Sequence, residues 1–440
     1  MSAIEDDRRY AEGQIRRLER LRDLYADGGG SAQAALEAFT ERFELLRQAQ
    51  AWAATMAETD AAASRLCSDY PIVGADLLAL RQHPSETEKW LKEALKAATE
   101  FGNKTKMALL CQHLGNVYEA LSQAQQALPQ FKRALALARE ENEKKIQAES
   151  LGGLGNASIA VGQVKEALEY YRQQLNVSKE IGDLRGEGNA LGGIGSCLVE
   201  LGQPRKGIEA FEEWLPIAQQ LGDRVSEHQV YGGLCFAYEA LDDPGASIEY
   251  ANKKLRITRE IGDRRGEGYA LLYVGKAHLA LGDAARALEV FTEERNGSRR
   301  INDRLGEGYA LDGIGEALLR LGNASRALEL YVQALTIQKE IEDEIGAMQS
   351  YAGLGDAYRT LQQLDRATEH YELQLSAAQK IGKQQGIAKA LFNLSVVMAA
   401  RGRREAALAQ AQKALELFEE IGSKCTDEAR KRVQELTAGN

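Results

Sequence analysis

Residues 186–202 read GEGNALGGIGSCLVELG, and this segment decides the fold. Its apolar residues Leu191, Ile194 and Leu198 follow the spacing of one helix face. The short turn Gly202-Gln203-Pro204 comes next. We therefore predict that the segment is the first helix of a pair, joined by this turn to a second helix.

The second helix of a pair is clear in EALEYYRQQLNVSKEIG, residues 166–182. One stripe of this segment carries apolar or aromatic side chains, namely Ala167, Leu168, Tyr171, Leu175 and Ile181. The stripe ends at an Ile-Gly-Asp triplet, 181–183, which recurs at 261–263. Gly in the left-handed cap position, followed by a residue that can begin a helix, predicts a stop between two helices.

The pair recurs with a period of 40 residues. One column reads Gly115, Gly155, Gly195, Cys235, Gly275, Gly315, Gly355 and Ser395. Twelve residues later a second column consists of small residues: Ala127, Ala167, Gly207, Ser247, Ala287, Ala327, Ala367 and Ala407. Four residues further it is mostly aromatic: Phe131, Tyr171, Phe211, Ala251, Phe291, Tyr331, Tyr371 and Ala411. We predict eight 40-residue repeats over 104–423, with no insertion or deletion.

The repeat resembles a known family. Leu114-Gly115 followed by Tyr118, and then Ala127 followed by Phe131, is similar to the tetratricopeptide repeat (TPR). The 40-residue version, with Glu-Ile-Gly-Asp between units, resembles the TPRs of spindle-orientation adaptors and kinesin light chains. The resemblance implies an all-α, right-handed superhelical α-solenoid. Its concave groove would be lined by the first helix of each pair.

A second resemblance concerns the segment from Trp52 to Trp90, which includes 66–71 (LCSDYP) and 80–84 (LRQHP). It is similar to the segment that precedes TPR arrays in bacterial signal-transduction NTPases of the STAND, NLR-like class. Those proteins carry a nucleotide-binding domain, but this sequence has no GxxxxGK[ST] motif. The resemblance implies a sensor or regulatory subunit that recruits a separately encoded NTPase, protease or other effector.

The regions outside the array are less regular. We predict an N-terminal helix over 1–27, a flexible Gly-rich joint over 28–31 and degenerate helical repeats over 32–103, with hairpin units at 32–58 and 59–83. A polar capping helix is expected over 424–440. The N-terminal helix could cap the array, dock a partner or a second copy, or lie on a membrane surface.

Composition excludes several classes of function. The 440 residues include 55 Lys and Arg against 65 Asp and Glu, so the formal net charge is −10. An acidic chain is a poor candidate for broad nucleic-acid binding. No apolar stretch is long enough to span a membrane, and the first residues lack a signal pattern, so we expect a cytoplasmic protein.

No motif for chemistry is present either. The five cysteines never fall in CxxC spacing, the five histidines form no HExxH motif, and no G-x-S-x-G elbow occurs. We therefore expect no catalytic residue, no metal and no cofactor, and predict that the chain is not an enzyme.

The binding positions follow from the repeat. The residues one after, three before and six before the glycine column should point into the groove, and they vary while the core columns do not. The candidate partner-binding residues are Asn116, Asn156, Asn189, Ser196, Gln229, Phe236, Tyr269, Tyr273, Lys276, Tyr309, Asp312, Glu316, Asp356 and Arg359.

Two zones stand out within this set. Doubled glycines at 152–153, 192–193 and 232–233 provide either close helix packing or room for a ligand. In repeats four to six we expect Phe236, Tyr269, Tyr273, Tyr309, Lys276 and Glu316 to lie together. Aromatic side chains there would anchor a partner.

The sequence thus predicts a non-catalytic scaffold that binds a protein or peptide in its groove. The sensor or regulatory subunit is the alternative. Neither nucleic acid nor membrane is an expected partner, and the sequence does not predict the oligomeric state.

Overall fold

The structure, a computed structural model, describes residues 3–26, 29–423 and 425–438. Every regular element in these ranges is an α-helix, and consecutive helices pack against one another from Ala3 to Ile181 and from Pro204 to Ala438, so the all-α fold of paired TPR-like helices is confirmed. Residue 28 of the predicted joint and residues 424, 439 and 440 of the predicted cap lie outside the described residues.

The chain separates into two compact units, Met1–Gly193 and Ile194–Asn440. The division falls inside the helix Leu184–Glu200 and coincides with none of the predicted domain limits. Apart from the joint at 28–31, those limits stay a prediction.

The first unit begins with a bundle and continues as regular pairs. Its helices are α1 (Ala3–Ala26), α2 (Gly29–Met56), α3 (Ala61–Val73), α4 (Ala75–Arg81), α5 (Pro84–Glu100), α6 (Lys104–Ala120), α7 (Ala124–Glu140), α8 (Lys144–Ala160), α9 (Val164–Ile181) and the first part of α10 (Leu184–Glu200). Helix α1 packs on α2 and α3 and buries Ile15 and Leu18. The hydroxyl of Tyr70 donates to the carbonyl oxygen of Ala11 at 2.7 Å, which ties α3 to α1.

Two predictions for the first unit are wrong. Residues 29–31 belong to α2, so they form no flexible joint, and 32–58 is occupied by this single helix and the turn after it instead of a hairpin. Gly29 and Gly30 lie at the first turn, where glycine is tolerated because the backbone there is only partly fixed by intrahelical hydrogen bonds. No proline follows before Met56, and Ala, Leu, Glu and Gln favour one uninterrupted helix.

The second unit is regular from end to end. Its helices are the rest of α10, α11 (Pro204–Gln220), α12 (Arg224–Ala240), α13 (Pro244–Ile261), α14 (Arg264–Ala280), α15 (Ala284–Arg300), α16 (Arg304–Arg320), α17 (Ala324–Glu340), α18 (Glu344–Thr360), α19 (Leu364–Lys380), α20 (Gln384–Ala400), α21 (Arg404–Glu420) and α22 (Thr426–Ala438).

The predicted stops between helices are confirmed where Ile-Gly-Asp occurs. Gly262 ends α13 with a φ of 73°, in the left-handed region that glycine occupies without a steric penalty. Asp263 then caps α14, because its side chain accepts from the backbone N–H of Gly266 at 2.9 Å. Gly182 ends α9 in the same way, with a φ of 69°.

Within each unit the first helices of the pairs lie on the inner side. Helix α6 contacts α8 in the first unit, and α12, α14, α16, α18 and α20 contact one another in sequence in the second. In the described part of the chain the second helices of successive repeats approach each other less closely. Curvature within the second unit is also evident at Gly202, since a Cβ there would lie 2.9 Å from the carbonyl oxygen of Ile421.

None of the described helices combines the length and the apolar character needed to cross a lipid bilayer.

Candidate functional site

The side chains predicted to face a partner do reach the surface. In the first unit Asn116, Asn156 and Asn189 are exposed. In the second unit the exposed members are Gln229, Tyr269, Lys276 and Arg359, and the half-buried members are Ser196, Phe236, Tyr273, Tyr309, Asp312, Glu316 and Asp356. None belongs to the buried core, but partner binding by these residues stays a prediction.

Glycines hold the aromatic column in place. A Cβ added to Gly275 or to Gly313 would lie 2.5 or 2.6 Å from the ring of Phe291, so both positions must lack a side chain. Phe131 is enclosed in the same way by Gly115 and Gly153, each at 2.5 Å. Each ring therefore fills the space between two first helices of successive repeats.

The doubled glycines thus have two different surroundings. Gly153 and Gly233, the second of their pairs, face the rings of Phe131 and Phe211, which supports close packing rather than room for a ligand. A Cβ on Gly152, the first of its pair, would instead lie 2.9 Å from the amide nitrogen of Gln174. The first glycine therefore lies directly above a polar side chain that comes from the second helix.

Two of the predicted residues already have partners within their own repeats. The hydroxyl of Tyr171 donates to Oδ1 of Asn156 at 2.6 Å, and that of Tyr371 donates to Oδ1 of Asp356 at 2.7 Å. Arg359 donates to the same Asp356 oxygen at 3.2 Å. The two tyrosine bonds join the first and second helices, whereas the Arg359 bond stays within α18, so Asn156 and Asp356 contribute to the scaffold itself.

The residues of the predicted aromatic and charged group in repeats four to six have neighbours of their own, and their joint role in binding stays a prediction. Tyr269 is 37% exposed, whereas Tyr309 is half-buried against the core that contains Leu272 and Leu311. Lys276 does not pair with Glu316. Its Nζ lies 3.7 Å from a carboxylate oxygen of Glu239 and 6.0 Å from the centre of the Tyr273 ring.

The two acidic members of that zone are also engaged. Glu316 forms an ion pair with Arg320 at 2.7 Å. Asp312 accepts hydrogen bonds from Nε2 of Gln338 at 2.7 Å and from Oγ of Ser350 at 2.6 Å. Burial raises the pKa of Asp312 to about 7, and the two hydrogen bonds counteract this only in part.

A buried lysine that is not among the predicted contact residues lies below the inner side of repeat four. Lys254, on α13, is 7% exposed, and its Nζ lies 3.3 Å from Nδ1 of His228 and 3.4 Å from the carbonyl oxygen of the same residue. Burial lowers the pKa of Lys254, and burial followed by the charge of Lys254 lowers the pKa of His228. Nε2 of His228 lies 3.5 Å from Asp263.

A buried glutamate occupies the equivalent position one repeat later. Glu294, on α15, is 1% exposed, and Oε1 accepts from Oγ of Ser298 at 2.6 Å. Its Oε2 has no hydrogen-bond partner among the described residues. Burial raises the pKa of Glu294 to about 8.

A signal for both residues does exist in the sequence. They belong to a column of the second helix that reads Ala134, Gln174, Trp214, Lys254, Glu294, Ala334, Gln374 and Ala414. Only two members are charged. They were missed because the search for ligand contacts considered the first helices alone.

Arg359 belongs to a separate cleft near the end of the second unit. The cleft has a volume of about 420 Å³. It lies between α18, α20 and α22 and is lined by Arg359, Phe392, Asn393, Val396, Glu428, Lys431, Arg432 and Glu435. Three cationic and two anionic side chains line it, so the cleft does not strongly favour one sign of ligand charge.

No group of three or more His, Cys, Asp or Glu residues within 3–26, 29–423 and 425–438 is arranged to hold a metal ion.

Comparison with known proteins identifies the repeat. Residues 146–220 and 344–420 match the family model of the tetratricopeptide repeat, which confirms the predicted resemblance. No curated protein sequence matches the chain significantly.

Solved structures share the fold at low sequence identity. Aspartyl phosphate phosphatase F from Bacillus subtilis is 12% identical, with 86% of this chain and 95% of that chain covered and a TM-score of 0.55. A Rap protein complexed with competence and sporulation factor is also 12% identical, with 76% and 98% covered and a TM-score of 0.51.

A STAND protein with a tetratricopeptide repeat sensor from Pyrococcus horikoshii is 18% identical, with a TM-score of 0.48. The match covers 75% of this chain but spans only 50% of that protein.

Proposed function

We propose that this chain, which is built from tetratricopeptide repeats, is a non-catalytic scaffold that holds a protein or peptide segment against the inner side of its second unit. The segment would lie across α12, α14 and α16. Aromatic side chains would anchor it, and the glycine-and-aromatic core would keep the surface in a fixed shape.

One observation carries this proposal. Tyr269 is 37% exposed on the inner side, and half-buried Tyr273 lies one turn further along the same helix. Tyrosine offers a large contact area at a low cost in conformational entropy, which is why it is enriched at binding hot spots. Because neighbouring core positions hold α14 in place, these rings need little reorganisation to bind a partner.

The test uses the full chain and a random peptide library displayed on phage. We expect the immobilised protein to enrich peptides, whose affinity is then measured in solution by fluorescence anisotropy. The double variant Tyr269→Ala/Tyr309→Ala should weaken binding by about tenfold or more, as expected for the loss of aromatic anchors. Circular dichroism and the melting temperature check that Tyr309→Ala leaves the helices folded.

A matched control lies on the second helices. Val332 and Leu373 are 46% and 39% exposed, so Val332→Ala/Leu373→Ala removes a comparable amount of surface away from the inner side. This pair should leave the affinity unchanged. The proposal fails if no peptide is enriched, or if the two double variants weaken binding equally.

The second candidate function is that of a sensor whose ligand changes the recruitment of an effector. The fold shared with a Rap protein that was solved in complex with competence and sporulation factor supports it. Hydrogen exchange on the full chain separates the two functions. A sensor should show altered protection in α1–α5 when an enriched peptide binds, whereas a simple scaffold should show changes only around the bound segment.

A further inference from the structure

Repeat four contains a buried ammonium group that lacks a counter-ion. Lys254 is 7% exposed, and no carboxylate of the described residues lies within 4.0 Å of its Nζ. Within the described part of the chain its polar contacts are the two long ones to His228, at 3.3 and 3.4 Å. An ammonium group has three donors, so its hydrogen-bonding capacity is incompletely used.

This ammonium group lies directly below a position without a side chain. A Cβ built on Gly232 would be 3.2 Å from Nζ of Lys254. Gly232 is half-buried and lies three residues before Cys235, in one of the columns predicted to face a partner. Any other residue there would cover the lysine. Gln229 and Phe236 flank the glycine on the same face of α12 and are accessible.

The first unit offers an uncharged counterpart. Gln174 occupies the same repeat position as Lys254, and its amide nitrogen lies 2.9 Å from where a Cβ of Gly152 would be. The geometry of glycine above and polar group below therefore belongs to the repeat. The positive charge is particular to repeat four.

We propose that Lys254, reached through the gap at Gly232, is the base of a subsite that takes a carboxylate group of the bound peptide. This inference rests on the proposed function, because the peptide must lie across α12 and α14 for its carboxylate to reach Gly232.

The physical reason is the cost of an unpaired buried charge. Taking an ammonium group out of water is unfavourable unless an opposite charge and hydrogen bonds replace the lost hydration. Asp263 attracts the ammonium group, but no carboxylate of the described residues is in contact with Nζ. A ligand carboxylate would add a charge-assisted hydrogen bond to Nζ. The chain already meets the cost of removing the ammonium group from water when it folds. A ligand carboxylate therefore gains the attraction to Nζ without meeting that cost again.

The experiment uses peptides enriched from the phage library on the full wild-type chain. We expect these peptides to share an Asp or Glu at one position. Lys254→Met keeps the length of the side chain and removes the charge, and it should weaken binding of such a peptide by about tenfold or more. Replacing the peptide's acidic residue by its amide should weaken wild-type binding similarly and leave binding to Lys254→Met nearly unchanged.

Two further variants sharpen the test. Gly232→Ala should also reduce the affinity, because the added methyl group covers Nζ. Glu294→Gln removes the ionisable group at the equivalent position of the next repeat and should leave the preference for the acidic residue intact. The melting temperature of each variant confirms that it is folded.

The carboxylate could also be that of the peptide's C-terminus. Each enriched sequence is therefore synthesised as a free acid and as an amide, and the side-chain and terminal carboxylates are removed one at a time.

The outcomes separate the two proposals. If folded wild-type protein enriches no peptide, the proposed function fails and this inference fails with it. If peptides are enriched but bind wild type and Lys254→Met equally, only the carboxylate subsite is disproved.

Discussion

The second unit contains two adjacent layers, each formed by one side chain of a second helix and the two first-helix positions that it contacts. The two layers fill this space with different residues. In the Phe291 layer one ring lies between Gly275 and Gly313. In the Ala251 layer, one repeat earlier, the ring is missing, and the two glycine positions carry Cys235 and Tyr273 instead. The volume that the second helix loses is supplied by the two first helices. The glycines are thus half of a packing pair, and their loss is tolerated only together with loss of the ring.

The same two layers differ below the inner side. The Ala251 layer is followed by buried Lys254 and the Phe291 layer by buried Glu294. Among the described residues no carboxylate contacts Nζ of Lys254, and Oε2 of Glu294 has no hydrogen-bond partner. Packing and charge therefore vary independently within one repeat, so a fixed scaffold can carry different ligand preferences in successive repeats.

The largest expected effect comes from breaking the Phe291 layer. Phe291 is 1% exposed, so Phe291→Ala should lower the free energy of unfolding by about 3–5 kcal/mol through lost burial and a cavity. Chemical denaturation of the full chain measures this loss.

Transplanting the neighbouring layer tests the comparison itself. The triple variant Phe291→Ala/Gly275→Cys/Gly313→Tyr should recover part of the loss. By contrast, Gly275→Cys or Gly313→Tyr alone should be destabilising, because each added Cβ meets the ring at 2.5 or 2.6 Å. Simple additivity of the single effects would show that the two layers are not alternative solutions.

The second effect concerns how the stability of the chain depends on pH through two buried ionisable groups. The folded-state pKa of Glu294 is raised to about 8, so the unfolded chain releases this proton at lower pH than the folded one. Stability should therefore fall as the pH rises from about 4.5 to about 8. Glu294→Gln should remove that loss and stabilise the chain by about 3–4 kcal/mol at pH 7, because each pH unit above the unfolded pKa contributes about 1.4 kcal/mol.

Lys254 provides the control of opposite sign. Its pKa is lowered in the folded chain, so its cost is fully present at neutral pH and disappears as the pH rises towards the unfolded value near 10. The stabilisation from Lys254→Met should thus shrink at alkaline pH, whereas that from Glu294→Gln should grow and then level off. Parallel pH profiles of melting temperature would show that neither group titrates as its burial indicates.

The repeat itself could be predicted because its period is enforced by packing. A ring in the second helix requires glycine at two positions of the first helices, so the columns are visible without coordinates. The N-terminal bundle offers no such constraint, and α2 was therefore taken for a hairpin although nothing in it interrupts a helix.

The candidate site was predicted less completely, for a different reason. Repeat position indicates which side chains of the first helices reach the surface, and Tyr269 and Gln229 do so. It does not reveal side chains that approach the inner side from the second helices, such as Lys254 under Gly232. Nor does it show which surface groups are already paired, as Asp312 is with Gln338 and Ser350.

The smallest expected effect tests a third kind of layer, in which the ring carries a hydroxyl. Tyr371 donates to the carboxylate of Asp356 at 2.7 Å, and Tyr171 donates to the neutral amide of Asn156 at 2.6 Å. Hydrogen bonds to charged groups contribute more, so Tyr371→Phe should cost about 1.5–2 kcal/mol and Tyr171→Phe about 1 kcal/mol in denaturant unfolding. The Phe291 layer is the reference, because its ring carries no hydroxyl group. If Tyr371→Phe has no effect on stability, the carboxylate of Asp356 does not hold the two helices together. That result would favour the predicted role of Asp356 in partner binding over a role in the scaffold.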